Sequence, residues 1–173
     1  ISSRSLYCGN GKSITLIDLC GNEKYLKTTL CGITGQFPDY AIVVVASTRG
    51  ILNMTKEHLG ILFYMQIPVI IVITRADMAP IDTYNNTVQS IKTVCKTYNK
   101  SVDILNDLPK SDTETCEMTQ DMIEQCEMVS NKLCKTVDYI PVLTVSNKTG
   151  YYIDVLKKIL FNLRPRKLWD NAD

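Results

Sequence analysis

The stretch ITLIDLCGNEKYLKTTL, Ile14 to Leu30, decides the fold. An apolar run ends in Asp18, Gly21 follows three residues later, and a polar, helix-prone segment comes next. The run alternates little, so it reads as a buried strand. Such a strand is suited to deliver Asp18 and Gly21 to a phosphate and a divalent metal. A hard Mg²⁺ ion takes oxygen ligands. A terminal phosphate takes a bare backbone N–H, and glycine allows the closest approach. The D-x-x-G pattern is short and common, and it gains weight only from what lies around it.

Upstream, Tyr7-Cys8-Gly9-Asn10-Gly11-Lys12 carries turn chemistry, which predicts a hairpin between Arg4–Tyr7 and Ser13–Asp18. Downstream, Glu23–Thr29 reads as a short helix. Tyr40–Ser47, Pro68–Thr74 and Tyr139–Ser146 are continuous apolar runs that read as strands. Between and after them lie three amphipathic helices. Thr55–Met65 has Thr55 as a capping candidate and Leu59, Leu62 and Phe63 on one face. Ile81–Asn99 has Val88, Ile91 and Cys95 inside. Tyr152–Leu163 carries Ile153, Leu156, Ile159, Leu160 and Leu163, and Arg164-Pro165 stops it. Apolar strands alternating with such helices predict an α/β fold, a mostly parallel sheet covered on both faces. Ligands bind such sheets at the carboxyl ends of the strands, so the residues just past each strand are the ones to inspect.

Residues 101–138 interrupt the alternation. From Asp103 to Glu127 the chain carries eight acidic residues and one lysine. Met122, Cys126, Val129, Leu133 and Val137 fall at helical spacing, so part of the segment reads as helix. We read it as a solvated acidic insert with one packed face, against the sharper reading of a docking surface for a basic partner.

The composition excludes several classes. A chain of 173 residues buries a sizeable core, and a net charge of +1 gives no electrostatic case for DNA or membrane binding. There is no apolar run of about eighteen residues and no signal-peptide pattern. The seven cysteines are odd in number, lack CxxC spacing and sit partly in apolar runs. That fits a reducing, cytoplasmic compartment with no disulfide-linked partner. A single histidine excludes a His-rich metal site. Cys20 is better read as a small filler than as a nucleophile. The chain begins at Ile1, not Met, which suggests a fragment or a processed product.

Three strand ends carry the chemistry: Asp18-Leu19-Cys20-Gly21-Asn22-Glu23, Thr74-Arg75-Ala76-Asp77 and Ser146-Asn147-Lys148-Thr149-Gly150. Each alone is a plausible cap or turn. In this order, with 59 residues from Asp18 to Asp77 and 69 more to Ser146, they resemble the GTP-binding domain of translational GTPases. Within that family they are similar to the elongation-factor-like branch of GTP-binding protein 1 and GTP-binding protein 2. NEKYLKTT, MTKEHLGI and SNKTG add to the likeness, which covers Ser13–Asp82 and Tyr139–Asp170.

The resemblance implies a three-layer, P-loop-NTPase-like G domain over residues 1–163, with 164–173 a linker toward a following domain. It implies GTP or GDP and Mg²⁺ as cofactors. Asp18 would hold the metal through a water, and the Gly21 N–H would meet the γ-phosphate. Asp77 would accept from guanine N1–H and N2–H₂, a pairing adenine cannot supply. Arg75 stands at the usual lysine and would cover the base. Thr74 stands at the usual asparagine. Ser146 and Asn147 would support the guanine O6 side through backbone N–H groups. A ribosome, tRNA or RNA-linked partner is implied by analogy.

The sequence departs from the family twice. Gly11-Lys12-Ser13 resembles the tail of a phosphate-binding loop, but Leu6 stands where that loop needs glycine and a strand follows where it needs a helix. The true loop would lie upstream of Ile1, and without it this segment alone would hold GTP weakly or not at all. Asn22 stands where translational GTPases place the histidine that orients the attacking water. His58, in TKEHL, reads as a packed helix residue and does not replace it. The leading expectation is a GTPase switch in translation or RNA-linked quality control. The alternative is a degenerate, non-hydrolysing G domain used as an interaction module.

Overall fold

The computed structural model describes residues 2–8, 12–109 and 118–166, the first of these by backbone alone. The chain divides into two compact units, Ile1–Pro38 and Asp39–Asp173.

In the first unit, β1 (Ser2–Cys8) and β2 (Lys12–Asp18) pair antiparallel, from Ser2 opposite Asp18 to Cys8 opposite Lys12. The predicted hairpin is present; its Gly9–Gly11 turn lies outside the described residues. The buried-strand reading of Ile14–Asp18 does not hold. Among the described residues β2 has one strand neighbour, its residues alternate in exposure, and Leu16 is 41% exposed. A two-stranded ribbon lacks the second neighbour and double cover that would bury every residue. A 3₁₀ turn, Glu23–Tyr25, leads into α1 (Leu26–Gln36), which runs well past the predicted end at Thr29. The buried Thr29 hydroxyl donates to the Cys20 carbonyl at 2.6 Å, tying the helix to the segment after β2.

The second unit is a parallel sheet, with β3 (Ala41–Ala46), β4 (Val69–Thr74), β5 (Ser101–Ile104) and β6 (Tyr139–Thr144) in the order β3-β4-β6-β5. Side chains alternate across a strand, so the β-branched runs must be covered on both sides. On one face Ile70, Val72, Leu143 and Val145 pack with Cys126, Val129 and Leu133 of α4 (Gln120–Lys135) and Val155 and Ile159 of α5 (Ile153–Asn162). Ile71, Ile73, Ile140 and Val142 point the other way and are equally buried. That is the side of α3 (Ile81–Thr97), whose Tyr84 hydroxyl lies 2.9 Å from Thr144 Oγ1. Leu59, Leu62 and Phe63 of α2 (Asn53–Tyr64) are buried as predicted. The expected α/β architecture, a parallel sheet between helical layers, is what forms.

Three local readings change. Thr55 does not cap α2; the cap is Leu52, without a side-chain bond, and Thr55 lies inside the helix. α4 does form within the acidic segment, capped by Thr119, whose Oγ1 accepts the Met122 N–H at 3.4 Å. Val137 lies beyond its end. Residues 101–138 also supply a strand, β5, that sequence patterning missed: Ser101-Val-Asp-Ile104 is short and half polar. Residues 110–117 lie outside the described residues.

Candidate functional site

The strand ends of the second unit bring Asp77 and Ser146 together across 69 residues of sequence. Ser146 Oγ lies 2.7 Å from Asp77 Oδ1, and it also accepts the Thr149 N–H at 3.3 Å. An ionised carboxylate only accepts, so the hydroxyl proton must point at Asp77 and an oxygen lone pair at Thr149. Ser146 is fully buried and Asp77 half-buried. The serine therefore fixes the carboxylate's direction while leaving Oδ2 without a partner among the described residues.

The backbone builds this meeting point. Arg75 adopts a left-handed conformation at φ 60, which turns the chain sharply out of β4 into a short 3₁₀ turn holding Asp77. The buried Ser47, just after β3, donates its hydroxyl to the Arg75 carbonyl at 2.8 Å and pins that turn. The Ala76 N–H reaches the Val145 carbonyl at 3.4 Å. The Thr74 hydroxyl donates to the Val45 carbonyl at a long 3.5 Å, and the Thr74 carbonyl accepts the Ser47 N–H at 3.0 Å. The Arg75 side chain is exposed.

The loop after β6 closes on itself. The Gly150 N–H donates to the Ser146 carbonyl at 2.9 Å, and Gly150 takes φ +81, a conformation that suits glycine. The Ser146 N–H donates to the Tyr151 carbonyl at 3.2 Å. That amide is thus engaged inside the loop and not free for a ligand oxygen, whereas the Asn147 N–H has no partner among the described residues. Of the two amides expected to serve a base oxygen, Asn147 alone has its N–H unengaged.

Within the first unit, Asp18 is exposed at the end of β2 and Gly21 follows in an open segment where an added Cβ would meet nothing within 4 Å. Asn22 caps the 3₁₀ turn: its Oδ1 accepts the Lys24 N–H at 3.0 Å. Among the described residues no group of three or more His, Cys, Asp or Glu is placed to hold a metal. A single free carboxylate fits Mg²⁺ held mainly by water and phosphate oxygens, the usual arrangement for that ion. His58 lies on α2, where its Nε2 is buried without a partner among the described residues, so it is a packed helix residue.

Sequence reasoning missed Ser47, Asn106 and Tyr151. Ser47 follows a strand end as Asp18 and Asp77 do, and that position was its one available signal. Asn106 and Tyr151 carried none, because what they do depends on which strands become neighbours.

A covered parallel sheet, with an aspartate after one strand clamped by a serine after its neighbour in the sheet, defines the class of P-loop-NTPase-like G domains. The chain belongs to the family of the elongation factor Tu GTP binding domain, whose model matches residues 1–166. It is 35% identical to GTP-binding protein 1 of Xenopus laevis over 158 residues, 91% of this chain and 22% of that protein. It is 29% identical to GTP-binding protein 2 of Mus musculus over 156 residues, 90% of this chain and 24% of that protein. The chain thus spans about a quarter or less of these relatives. Among solved structures it resembles translation elongation factor SelB from Methanococcus maripaludis in complex with the GTP analogue GppNHp. That match has a TM-score of 0.61 and 21% identity, covering 99% of this chain and 28% of that one. No helix among the described residues is long and apolar enough to cross a membrane.

Proposed function

We propose that this chain is the base-binding and second-switch portion of a GTP-hydrolysing switch acting in translation or RNA-linked quality control in the cytoplasm. The observation that carries the reading is the Ser146–Asp77 hydrogen bond. A carboxylate has room for several donors, so Asp77 can keep the serine and still receive guanine N1–H and N2–H₂. The free Asn147 N–H suits guanine O6. Arg75, exposed beside Asp77, suits the base face. Adenine offers no matching donor pair, and it would leave the Asp77 Oδ2 without a donor. Asp18 is the residue to hold Mg²⁺ through water, and the Gly21 N–H to meet the terminal phosphate. Mg²⁺, when bound, would neutralise charge on the phosphates. The remaining phosphate contacts are assigned to a loop upstream of Ile1. Among the described residues β3 has a strand neighbour on one side only, with Val44 62% exposed, which favours a further strand joining along that edge. Residues 164–173 are proposed as the linker to a following domain, and a ribosome or RNA-linked partner follows from the family alone.

A second reading is favoured by Asn22. Its Oδ1 is engaged by the Lys24 N–H, and it is shorter than the residues that usually orient water. A nucleotide-dependent module that binds without turnover fits that observation. Titrating the full-length protein with fluorescent GDP and GTP, then following phosphate release, separates the two. Tight binding with release supports the switch GTPase. Binding without release supports the second reading. No binding at micromolar nucleotide would sink both.

A further inference from the structure

The segment that follows β5 grips the Ser146–Tyr151 loop at both of its ends. β5 and β6 pair in parallel as far as Ile104 opposite Val142, and the Leu105 N–H still reaches the Val142 carbonyl at 3.0 Å. The next rung is made by a side chain. Asn106 Oδ1 accepts the Thr144 N–H at 2.9 Å, and Asn106 Nδ2 donates to the Thr144 carbonyl at 2.8 Å. One carboxamide thus replaces a whole peptide unit and holds β6 two residues before Ser146. The Tyr84 hydroxyl, 2.9 Å from Thr144 Oγ1 and 3.4 Å from the Asn106 carbonyl, locks this rung to α3. At the loop's other end Tyr151, nearly buried, donates its hydroxyl to the Asp107 carbonyl at 3.3 Å, while its own carbonyl accepts the Ser146 N–H.

The geometry points to Asn106 and Tyr151 as positioning residues for base recognition. They hold the loop that carries Ser146 and the Asn147 N–H in register with Asp77. This inference rests on the guanine reading given above. A simple structural contact would cost stability whatever ligand is bound. A brace on this loop acts on base selectivity, because Asn147 and Asp77 must meet one purine edge together. Loss of the Asn106 rung removes two hydrogen bonds that hold the end of β6, which would let the Ser146–Asp77 bond and a contact from the Asn147 N–H to O6 lengthen.

The test uses the full-length protein and measures the affinities of GDP, ADP and XDP by calorimetry, with the melting temperature of each variant recorded. Asn106→Ala is expected to lower GDP affinity by about tenfold, the worth of one to two hydrogen bonds, and to shrink the GDP-to-ADP ratio by a similar factor. Tyr151→Phe, which keeps the ring and loses only the hydroxyl, is expected to lower the ratio about threefold. If Asn106→Ala stays folded and keeps the native ratio, the brace is overturned. If Asn106→Ala does not fold, Tyr151→Phe decides in the same way. Asp77→Asn, run alongside, separates the two levels: it should weaken GDP and favour XDP. If it does so while both brace variants keep native selectivity, the brace alone fails. If it leaves GDP binding unchanged, the guanine reading fails and the brace with it.

Discussion

A single hydroxyl sets the direction of the carboxylate on which base recognition would depend. Ser146 is wholly buried, so its hydrogen bonds are not exchanged with water, and its proton has one destination, Asp77. Replacing Ser146 with alanine leaves Asp77 free to rotate and removes the lone pair that receives Thr149. Hydrogen bonds to charged groups contribute about 1.5–3 kcal/mol, so Ser146→Ala should weaken GDP binding by at least about tenfold. Calorimetry on the full-length protein checks this, and an unchanged affinity would mean that Asp77 is oriented by something else. Asp77 and Ser146 were legible because strand-end position, residue type and order along the chain all pointed to them. Their contact at 2.7 Å was not, since it requires β4 and β6 to be sheet neighbours. The role of Asn22 was legible only as a departure; that its amide caps Lys24 follows from the local turn.

At the scale of elements, the apolar runs and helical stripes were readable because burial imposes a period of two or 3.6 on them. β5 escaped because an edge strand needs little apolar character, and its last rung is a side chain. Two helix contacts give predictions. Gly60 lies inside α2, where an added Cβ would meet the Tyr98 hydroxyl at 2.9 Å. Alanine in place of a helical glycine gains about 1 kcal/mol, and the clash opposes that gain. Gly60→Ala should therefore change stability little in the native background. With Tyr98→Phe it should stabilise by about 1 kcal/mol, read from urea denaturation. Between α4 and α5, the buried Ser130 hydroxyl lies 2.7 Å from the Cys126 carbonyl and 3.2 Å from that of Ile159. So small a side chain allows the two helices close approach. Ser130→Ala should cost about 1 kcal/mol, and Ser130→Leu about 2–3 kcal/mol through overpacking, both measured by the same denaturation.

At the scale of the whole molecule, sequence patterning reached the class, an α/β sheet covered by helices, and the local β1–β2 hairpin, but not the strand order of the parallel sheet. That order is fixed by long-range pairing that no local window records. Whole-molecule stability should also carry a titration signature, because the chain has one histidine. Burial lowers the pKa of His58 below the ordinary 6.5, with the neighbouring Glu57 charge opposing, and its buried Nε2 has no hydrogen-bond partner among the described residues. The unfolded chain then binds a proton more readily than the folded one as pH falls through 6.5. The stability linked to His58 is therefore fully present above that pH and is lost progressively below it, down to the folded-state pKa. An NMR titration of the lone imidazole should place its midpoint below 6.5. Denaturation curves collected between pH 7.5 and about 5 should show stability falling with acid, over and above the carboxylate contribution. His58→Gln should flatten that slope, since glutamine is similar in length and does not titrate. A slope unchanged by the substitution would show that His58 is hydrated in the native state and that acid sensitivity arises elsewhere.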